Sequence, residues 1–435
     1  MEAYATALLY AIPGFTVLMS IEYFYGIITG KQTFRTMDSI SSISSGITNI
    51  IKDSLSLLVV LISYPFLLKY LAVAKLPETW VVFLVAFVAN DFASYWNHRM
   101  NHMINGFWNR HVIHHSSEEF NLPCALRQPI SVVFGFFPLF MIPAAIAGVP
   151  YKVVATVAPI HLFLQFWYHT KHIPKLGFLE YFMVTPSQHR VHHAINPEYI
   201  DKNFSAIFCV WDRAFGTFQE ELDDVPPVYG VLAPVRTWNP VRINFQHNWK
   251  LFKDTWNTQS WKEKLLLWVK PTGYRPDDVK EKYSFDHIGD VYAYEKYDPP
   301  ASLGFKILSV LHLSISVGLL LWMFYRFGKL TSTELLQYGG LIFVGIYGYT
   351  SMMDGDKLGP WIETIRGGFG LWLFYSTGQW FGIDTLFAGA SYVVAGYFAL
   401  TILTAWLFFA TEEVFRLPPE QYPSASTHAN PQPTA

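Results

Sequence analysis

The sequence has few charged residues and few cysteines. Lys, Arg, Asp and Glu make up 15% of the 435 residues, whereas soluble domains usually contain about 25%. With 51% hydrophobic residues and a formal net charge of −2, the composition is that of an integral membrane protein and gives no reason to expect a nucleic-acid partner. Because the two cysteines, Cys124 and Cys209, lie far apart, a disulfide framework and a cysteine-type zinc site are excluded. The N-terminus lacks the basic segment of a cleaved signal peptide, so we expect it to begin a retained span.

Apolar runs that approach the roughly 20 residues of a spanning helix occur in both halves of the chain. They predict an all-α polytopic membrane protein with about eight transmembrane helices. The candidate runs are Thr6–Ile28, Leu55–Val73, Trp80–Trp96, Ile130–Val149, Val153–Trp167, Leu303–Tyr325, Leu335–Met352, Phe369–Phe381 and Ala388–Phe409. Ile130–Trp167 is predicted to form a hairpin that turns at Gly148–Pro150, and Phe369–Phe381 is short enough to be re-entrant.

The composition divides the chain into four parts. We expect N-terminal transmembrane helices over residues 1–97, and a histidine-rich catalytic region over 98–300 that includes a membrane hairpin at 130–169 and a polar cap. C-terminal transmembrane helices over 301–416 and a disordered, Pro- and Ser-rich tail over 417–435 complete the prediction. Lys and Arg near the span ends place the histidine-rich cap on the cytoplasmic side, of the endoplasmic reticulum in a eukaryote or of the inner membrane in a bacterium.

Two segments of the polar cap have contrasting patterns. Trp238–Lys270 alternates aromatic residues and lysines in an amphipathic pattern. This suits either a helix pair lying on a membrane surface or helices packed against the catalytic region. Asp277–Pro300 has no clear period and is predicted to be a loop.

Three histidine clusters with helical spacing hold eight of the fifteen histidines. They are His98 and His102, spaced H-x3-H, and then His111, His114 and His115 and again His189, His192 and His193, both spaced H-x2-H-H. Residues three or four apart share one face of a helix, so each cluster can direct its imidazoles at one point. Imidazole suits iron, zinc and copper, and a hydrolytic zinc site would use only about three protein ligands. We therefore predict a dinuclear, oxygen-activating metal centre that acts on a lipid.

Asp91 and Glu118 are the acids nearest to these clusters in the sequence. An acid inside a span is costly unless it is paired or functional. Asp91 either orients a metal-bound imidazole by accepting its second N–H or anchors the mouth of the helix. Glu118 either supports the metal site or caps a helix. A membrane metal transporter is the alternative from another class of protein, although it would need ionisable residues inside several spans, and the later spans have few.

The clusters and the strings around them resemble the fatty acid hydroxylase and sterol desaturase superfamily of membrane di-iron enzymes. The strings HHSSEEFNLPCALRQ, LQFWYHTKHI, TPSQHRVHHAINPEYIDKNF and WDRAFGTF are similar to those of the branch that cleaves alkylglycerol ether lipids. The resemblance implies a monooxygenase that uses O2 to hydroxylate a C–H bond of a membrane lipid, releasing a fatty aldehyde and a glycerol derivative. It also implies a pair of iron ions and an external electron donor, which in that branch is tetrahydrobiopterin.

Carried over residue by residue, the resemblance implies nine metal ligands. They are His98, His102, His111, His114, His115, His169, His189, His192 and His193. Asn203 also matches the branch, and with Asp91 and Glu118 it is a candidate catalytic residue. His172 has no counterpart there, so we expect a hydrogen-bonded side chain. Met103 stands where that branch carries an acid, which keeps a sterol or fatty-acyl hydroxylase or desaturase open as an alternative.

Overall fold

The computed structural model describes residues 2–57, 59–132 and 134–417. The predicted disordered tail therefore lies, except for its first residue, outside the described residues. The first helices are α1 (Glu2–Thr29), α2 (Thr36–Ser54), α3 (Tyr64–Leu71), α4 (Trp80–Met103), α5 (Asn105–Trp108), α6 (Val112–His115), α7 (Ile142–Ala147) and α8 (Tyr151–Phe163). The later ones are α9 (Pro186–His192), α10 (Val210–Ala214), α11 (Pro240–Asn257), α12 (Trp261–Leu266), α13 (Asp277–Lys282), α14 (Leu303–Tyr325), α15 (Ser332–Met353), α16 (Gly359–Thr377) and α17 (Ala390–Thr411).

Short elements connect the α-helices. Two-residue strands, β1 (Val59–Val60) and β2 (Phe134–Gly135), pair in parallel. The 3-10 helices are Leu122–Leu126, Phe137–Met141, Gly177–Tyr181, Phe327–Lys329, Ile383–Thr385 and Glu413–Phe415. The protein is thus mostly helical, as predicted.

Among the described residues, three helices are long and apolar enough to cross a membrane. They are Tyr4–Thr29 within α1, α14 and α17, and they correspond to three of the predicted runs. Phe137–Ala147 and Tyr151–Phe163 are shorter apolar helical segments. The total of about eight spans stays a prediction.

Two of the apolar runs do not form continuous helices. Among the described residues of Leu55–Val73, only the eight of α3 are α-helical, because Pro65 lies in its first turn and Ser63 Oγ caps it by accepting from Phe66 N. Such a helix is about 12 Å long, too short to span. Ile130–Val149 contains β2, a 3-10 helix and the six-residue α7, interrupted by Pro138 and Pro143, each at the start of a helix.

The turn predicted at Gly148–Pro150 is present between α7 and α8. Gly148 has a φ of 80°, and a Cβ there would lie 2.0 Å from the carbonyl oxygen of Ala74. Only glycine fits both this conformation and this close approach.

Two further predictions are corrected in length. Most of the run Phe369–Phe381 belongs to α16, which starts at Gly359, has 19 residues and ends at Thr377, four residues before the end of the run. The sequence pattern excluded its first half because Glu363 and Arg366 are charged, but these side chains are buried and pair at 2.5 Å. The predicted loop Asp277–Pro300 starts with a helix, α13. The helix pair predicted within Trp238–Lys270 is confirmed as α11 and α12.

The two largest apolar cores among the described residues are formed by different sets of helices. One is formed by α1, α2 and α14–α17, and the other by α3, α4, α7 and α8. The serine-rich α2 packs on α14, on α15 and on the 3-10 helix Leu122–Leu126. On α2, Asp38 forms a buried ion pair of 2.9 Å with Arg127, whose guanidinium also donates to Ser116 Oγ. This contact joins α2 to the segment that follows the second histidine cluster.

Candidate metal centre

Nine histidines converge into two neighbouring groups, each with its candidate ligand atoms within 4.8 Å of one another. The first group is His98, His102, His111, His115 and His192, and the second group is His114, His169, His189 and His193. These are the nine candidate ligands predicted from the sequence. Residues of all three clusters take part, and the second and third clusters contribute to both groups.

The local folding of four segments brings these side chains together. The last turns of α4 carry His98 and His102, and the chain then reverses at Asn105–Gly106 into α5 and α6. Gly106 is needed at this turn because a Cβ would lie 2.8 Å from the carbonyl oxygen of Trp268. His169 follows α8, and α9, which begins at Pro186, carries the third cluster.

Ring nitrogens within each group approach one another closely. His98 Nε2 lies 2.8 Å from His111 Nε2. In the second group His189 Nε2 lies 2.9 Å from His169 Nε2 and 3.0 Å from His193 Nε2. Two imidazole nitrogens on one ion at about 2.1 Å would lie roughly 3.0–3.4 Å apart for bond angles of about 90–109°. Each group therefore fits a metal ion bound by several imidazoles.

The imidazoles are held in the neutral form that binds metals. Burial lowers the pKa of His111, His114, His115, His189, His192 and His193 well below the usual value, and the neighbouring imidazoles lower it further. A metal must otherwise displace a proton from its ligand. Buried His192 Nε2 has no hydrogen-bond partner among the described residues, so its lone pair remains available.

Acceptors behind the rings fix their orientation. His98 Nδ1 lies 2.8 Å from the carbonyl oxygen of Phe204, and His192 Nδ1 lies 2.9 Å from that of Lys202. Because a carbonyl oxygen can only accept, Nδ1 carries the proton and Nε2 is left for the metal. His102 Nδ1 is 3.6 Å from a carboxylate oxygen of Asp201. The segment after the third cluster, which reads as a simple turn in the sequence, thus orients rings of the first group.

Asp91 is hydrogen-bonded to His161, which is not one of the nine candidate ligands. Its carboxylate accepts from His161 Nε2 at 2.8 Å, from the backbone N–H groups of Ile207 and Phe208, and from Trp211 Nε1 at 2.8 Å. None of these four donors belongs to the nine candidate ligands, and seven helical residues, about 10 Å, separate Asp91 from His98, so the alternative that Asp91 orients a metal-bound imidazole is wrong. Asp91 instead fixes the segment whose Phe204 carbonyl accepts from His98. The sequence reading missed His161, a lone histidine without cluster spacing.

Glu118 and Asn203 also hold the backbone around the centre. Glu118 is buried, accepts from Tyr294 Oη at 2.5 Å and from Tyr297 N at 2.8 Å, and pairs with Arg35. Asn203 Nδ2 donates to the carbonyl oxygens of Gln188 and Gln219. Direct contact of these residues with reacting atoms stays a prediction.

Two residues that departed from the resemblance lie outside both groups. His172 packs edge-on against Tyr25, with ring centroids 4.9 Å apart. Its buried Nε2 has no hydrogen-bond partner among the described residues, so the expected hydrogen bond of this side chain is not found at Nε2. Met103 ends α4 with its side chain 42% exposed.

Replacing Asp91 by Asn is expected to destabilise the fold by about 2–4 kcal/mol, because the amide group would face two of four buried donors that it cannot accept from. Thermal unfolding of the purified protein measures this. Asp290→Asn, at an exposed position, is the control and should leave the midpoint unchanged. An equal midpoint in both variants would show that the Asp91 contacts contribute little.

The candidate metal centre lies in the part of the chain that matches a known protein family. Residues 83–217, which contain all nine histidines, match the family model described as fatty acid hydroxylase. Alkylglycerol monooxygenase of Homo sapiens is 32% identical over 360 residues, covering 82% of this chain and 80% of that protein. The Danio rerio alkylglycerol monooxygenase is 35% identical over 61% of this chain and 59% of its own length. Methylsterol monooxygenase 1-1 of Arabidopsis thaliana is 28% identical over 37% of this chain and 58% of its own length. No solved structure matches the chain.

Proposed function

The chain belongs to the fatty acid hydroxylase family, and on that premise we propose that it is a membrane-bound di-iron monooxygenase that hydroxylates alkylglycerol ether lipids. The observation that carries the proposal is the presence of two groups of buried, neutral imidazoles inside the region that the family model matches. Alkylglycerol is the preferred substrate because the similarity to alkylglycerol monooxygenases extends over 82% of the chain, well beyond the histidine region.

The residues of the two groups fit iron. Imidazole is a neutral ligand that suits this metal, and an all-histidine set leaves the charge of the ions uncompensated. His98, His102, His111, His115 and His192 would hold one ion, and His114, His169, His189 and His193 the other. Bound iron would supply the redox chemistry that activates O2.

The surrounding side chains shape the site and exclude water from it. Phe204 packs on His102 with ring centroids 5.1 Å apart, and Phe120 packs on His193 at 5.2 Å. Both phenylalanines are fully buried. Such walls exclude water from the lipid carbon that reacts and fix the ligand rings by packing.

The overall reaction balances with an external two-electron donor. One oxygen atom of O2 is inserted into the C–H bond beside the ether oxygen, and the other leaves as water with two protons and the two electrons from the donor. The resulting hemiacetal collapses to a fatty aldehyde and a glycerol derivative. We propose tetrahydrobiopterin as the donor. We also propose that residues 98–300 form the catalytic region between the N-terminal and C-terminal membrane helices, with the centre facing the cytoplasm.

Incubation of the iron-loaded protein with 1-hexadecylglycerol, O2 and reduced pterin is expected to release hexadecanal. Mass spectrometry of the extracted lipids measures the aldehyde. The matched control is 1-hexadecanoylglycerol, in which a carbonyl replaces the reacting CH2, so no aldehyde should form. If a sterol or acyl lipid is hydroxylated instead, the alternative reading suggested by Met103 and by the similarity to methylsterol monooxygenase replaces this one.

A further inference from the structure

The helix pair α11 and α12 presents large apolar side chains to the outside of the molecule. Trp249, Phe252 and Trp256 recur at helical spacing on α11, and Trp261 and Leu265 continue the pattern on α12. Trp256, Trp261 and Leu265 are 77%, 81% and 77% exposed. We call these five residues the tryptophan face. A large exposed apolar patch of this kind marks a surface that contacts either a membrane or another protein.

The opposite side of α11 accounts for its packing. Ile243 and Leu251 are buried there. His247 Nε2 lies 2.7 Å from the carbonyl oxygen of Asn105, and Asn248 N donates to Asn109 Oδ1. The tryptophan face is therefore not needed to hold the pair on the catalytic region, and its composition calls for a separate explanation.

The N-terminal end of the pair is fixed at the end of the C-terminal helical hairpin. Asn239, which caps α11, donates to the carbonyl oxygen of Tyr347 and to Ser351 Oγ on α15. Trp238 N donates to Asp354, the residue that ends α15. Because α15 packs against the candidate span α14, α11 starts where this hairpin leaves the membrane.

The other end of the pair is fixed at the end of α4, beside the histidine groups. Gly106 N donates to the carbonyl oxygen of Trp268, and Asn105 N donates to that of Lys270. The pair thus bridges the ends of α15 and α4 on the side of the metal centre. A segment that connects the ends of membrane helices on one side lies at the level of the lipid head groups on that side.

The charges around the tryptophan face fit an anionic lipid surface. Lys253 and Lys262 are exposed beside it. The acid of α11, Asp254, is buried and paired with Arg275 at 2.6 Å, so it does not offset these lysines. Tryptophan concentrates at the boundary between head groups and acyl chains, and each lysine near an anionic surface contributes about 1 kcal/mol of attraction.

We propose that the tryptophan face is inserted in the bilayer, at the boundary between head groups and acyl chains of the leaflet next to the metal centre. The helix pair then acts as an interfacial amphipathic segment. It fixes the depth of the histidine groups relative to the lipid, because the residues that follow α12, Trp268 and Lys270, accept hydrogen bonds from the turn between the first and second clusters. This inference does not depend on which lipid is oxidised.

Spin-label accessibility in the full-length protein tests the proposal. Trp256→Cys and Leu265→Cys are labelled in nanodiscs of phosphatidylcholine and phosphatidylglycerol, with Glu281→Cys as the exposed control on α13. Native Cys124 and Cys209 are fully buried and are not expected to react. The two face positions should gain collisions with O2 and lose collisions with a water-soluble nickel chelate, giving a depth of about 5–10 Å below the head groups.

Two results would overturn the proposal. Nickel accessibility at both face positions equal to that of Glu281→Cys would place the face in water. Protection from both O2 and nickel would mean that protein, such as a second copy of the chain, covers it. Neither result depends on turnover, so failure of the proposed activity is distinguishable from failure of this inference.

Discussion

Replacing His189 by alanine is expected to remove about half of the bound metal and to abolish turnover. His189 belongs to the smaller group, and its Nε2 lies within 3.0 Å of both His169 and His193. Three imidazoles would remain in that group, whereas the other group keeps all its ligands. Activity should fall by more than about a hundredfold, the upper cost of losing a supporting contact rather than a ligand. Elemental analysis of the purified protein and aldehyde release measure the two effects.

Matched variants separate the two groups. His192→Ala removes a ligand from the other group, so its metal loss should add to that of His189→Ala in the double variant. His172→Ala is the control, because this histidine lies outside both groups, and it should keep full metal content. Full metal content in His189→Ala would contradict the assignment of the second group.

The spacing of the histidines allowed the candidate centre to be predicted from the sequence. Metal ligation requires a particular side chain, and helix geometry fixes which spacings share a face. The spacing of His111, His114 and His115 therefore identifies them as candidate ligands. His169 was assigned as a ligand only through the resemblance, because its H-x2-H spacing to His172 did not tell which of the two binds. The distribution of ligands between the groups was not predictable, because it depends on which rings of the second and third clusters meet in space, such as His115 with His192 and His114 with His193.

The supporting contacts were harder to predict for a physical reason. The acceptors for His98 and His192 are the backbone carbonyl groups of Phe204 and Lys202, which every residue type can supply. For Asp91 the sequence showed that a buried acid needs a partner, but its donors lie more than 65 residues away in the chain, at His161, Ile207 and Trp211. The apolar runs also overestimated helix length around Pro65 and Pro138, because each proline lies in the first turn of a short helix and cannot continue a helix from the residues before it.

We expect the lipid substrate of the proposed reaction to enter from the bilayer, because apolar side chains are exposed next to the candidate metal centre. Leu162 and Phe163, at the end of α8 just before His169, are 63% and 54% exposed. Phe178 and Phe182, between His169 and His189, are 71% and 57% exposed. These exposed apolar side chains lie in the chain segments that come before and after His169, and the first of the segments is the end of a helix that we expect to lie in the membrane. A lipid chain can therefore remain in contact with apolar surface while its head-group end approaches the histidines.

Shortening the alkyl chain from sixteen to eight carbons is expected to lower kcat/KM for alkylglycerol by up to about four orders of magnitude at equal aqueous concentration. Eight methylene groups at about 0.8 kcal/mol each give roughly 6 kcal/mol of membrane partitioning. When rates are expressed per mole fraction of substrate in the bilayer, the difference should shrink to within about tenfold, since the chain then only exchanges one apolar environment for another. Measurement of both rates in vesicles, with partitioning determined separately, gives the comparison. Equal turnover of the two substrates at equal aqueous concentration would show instead that the centre is supplied from water.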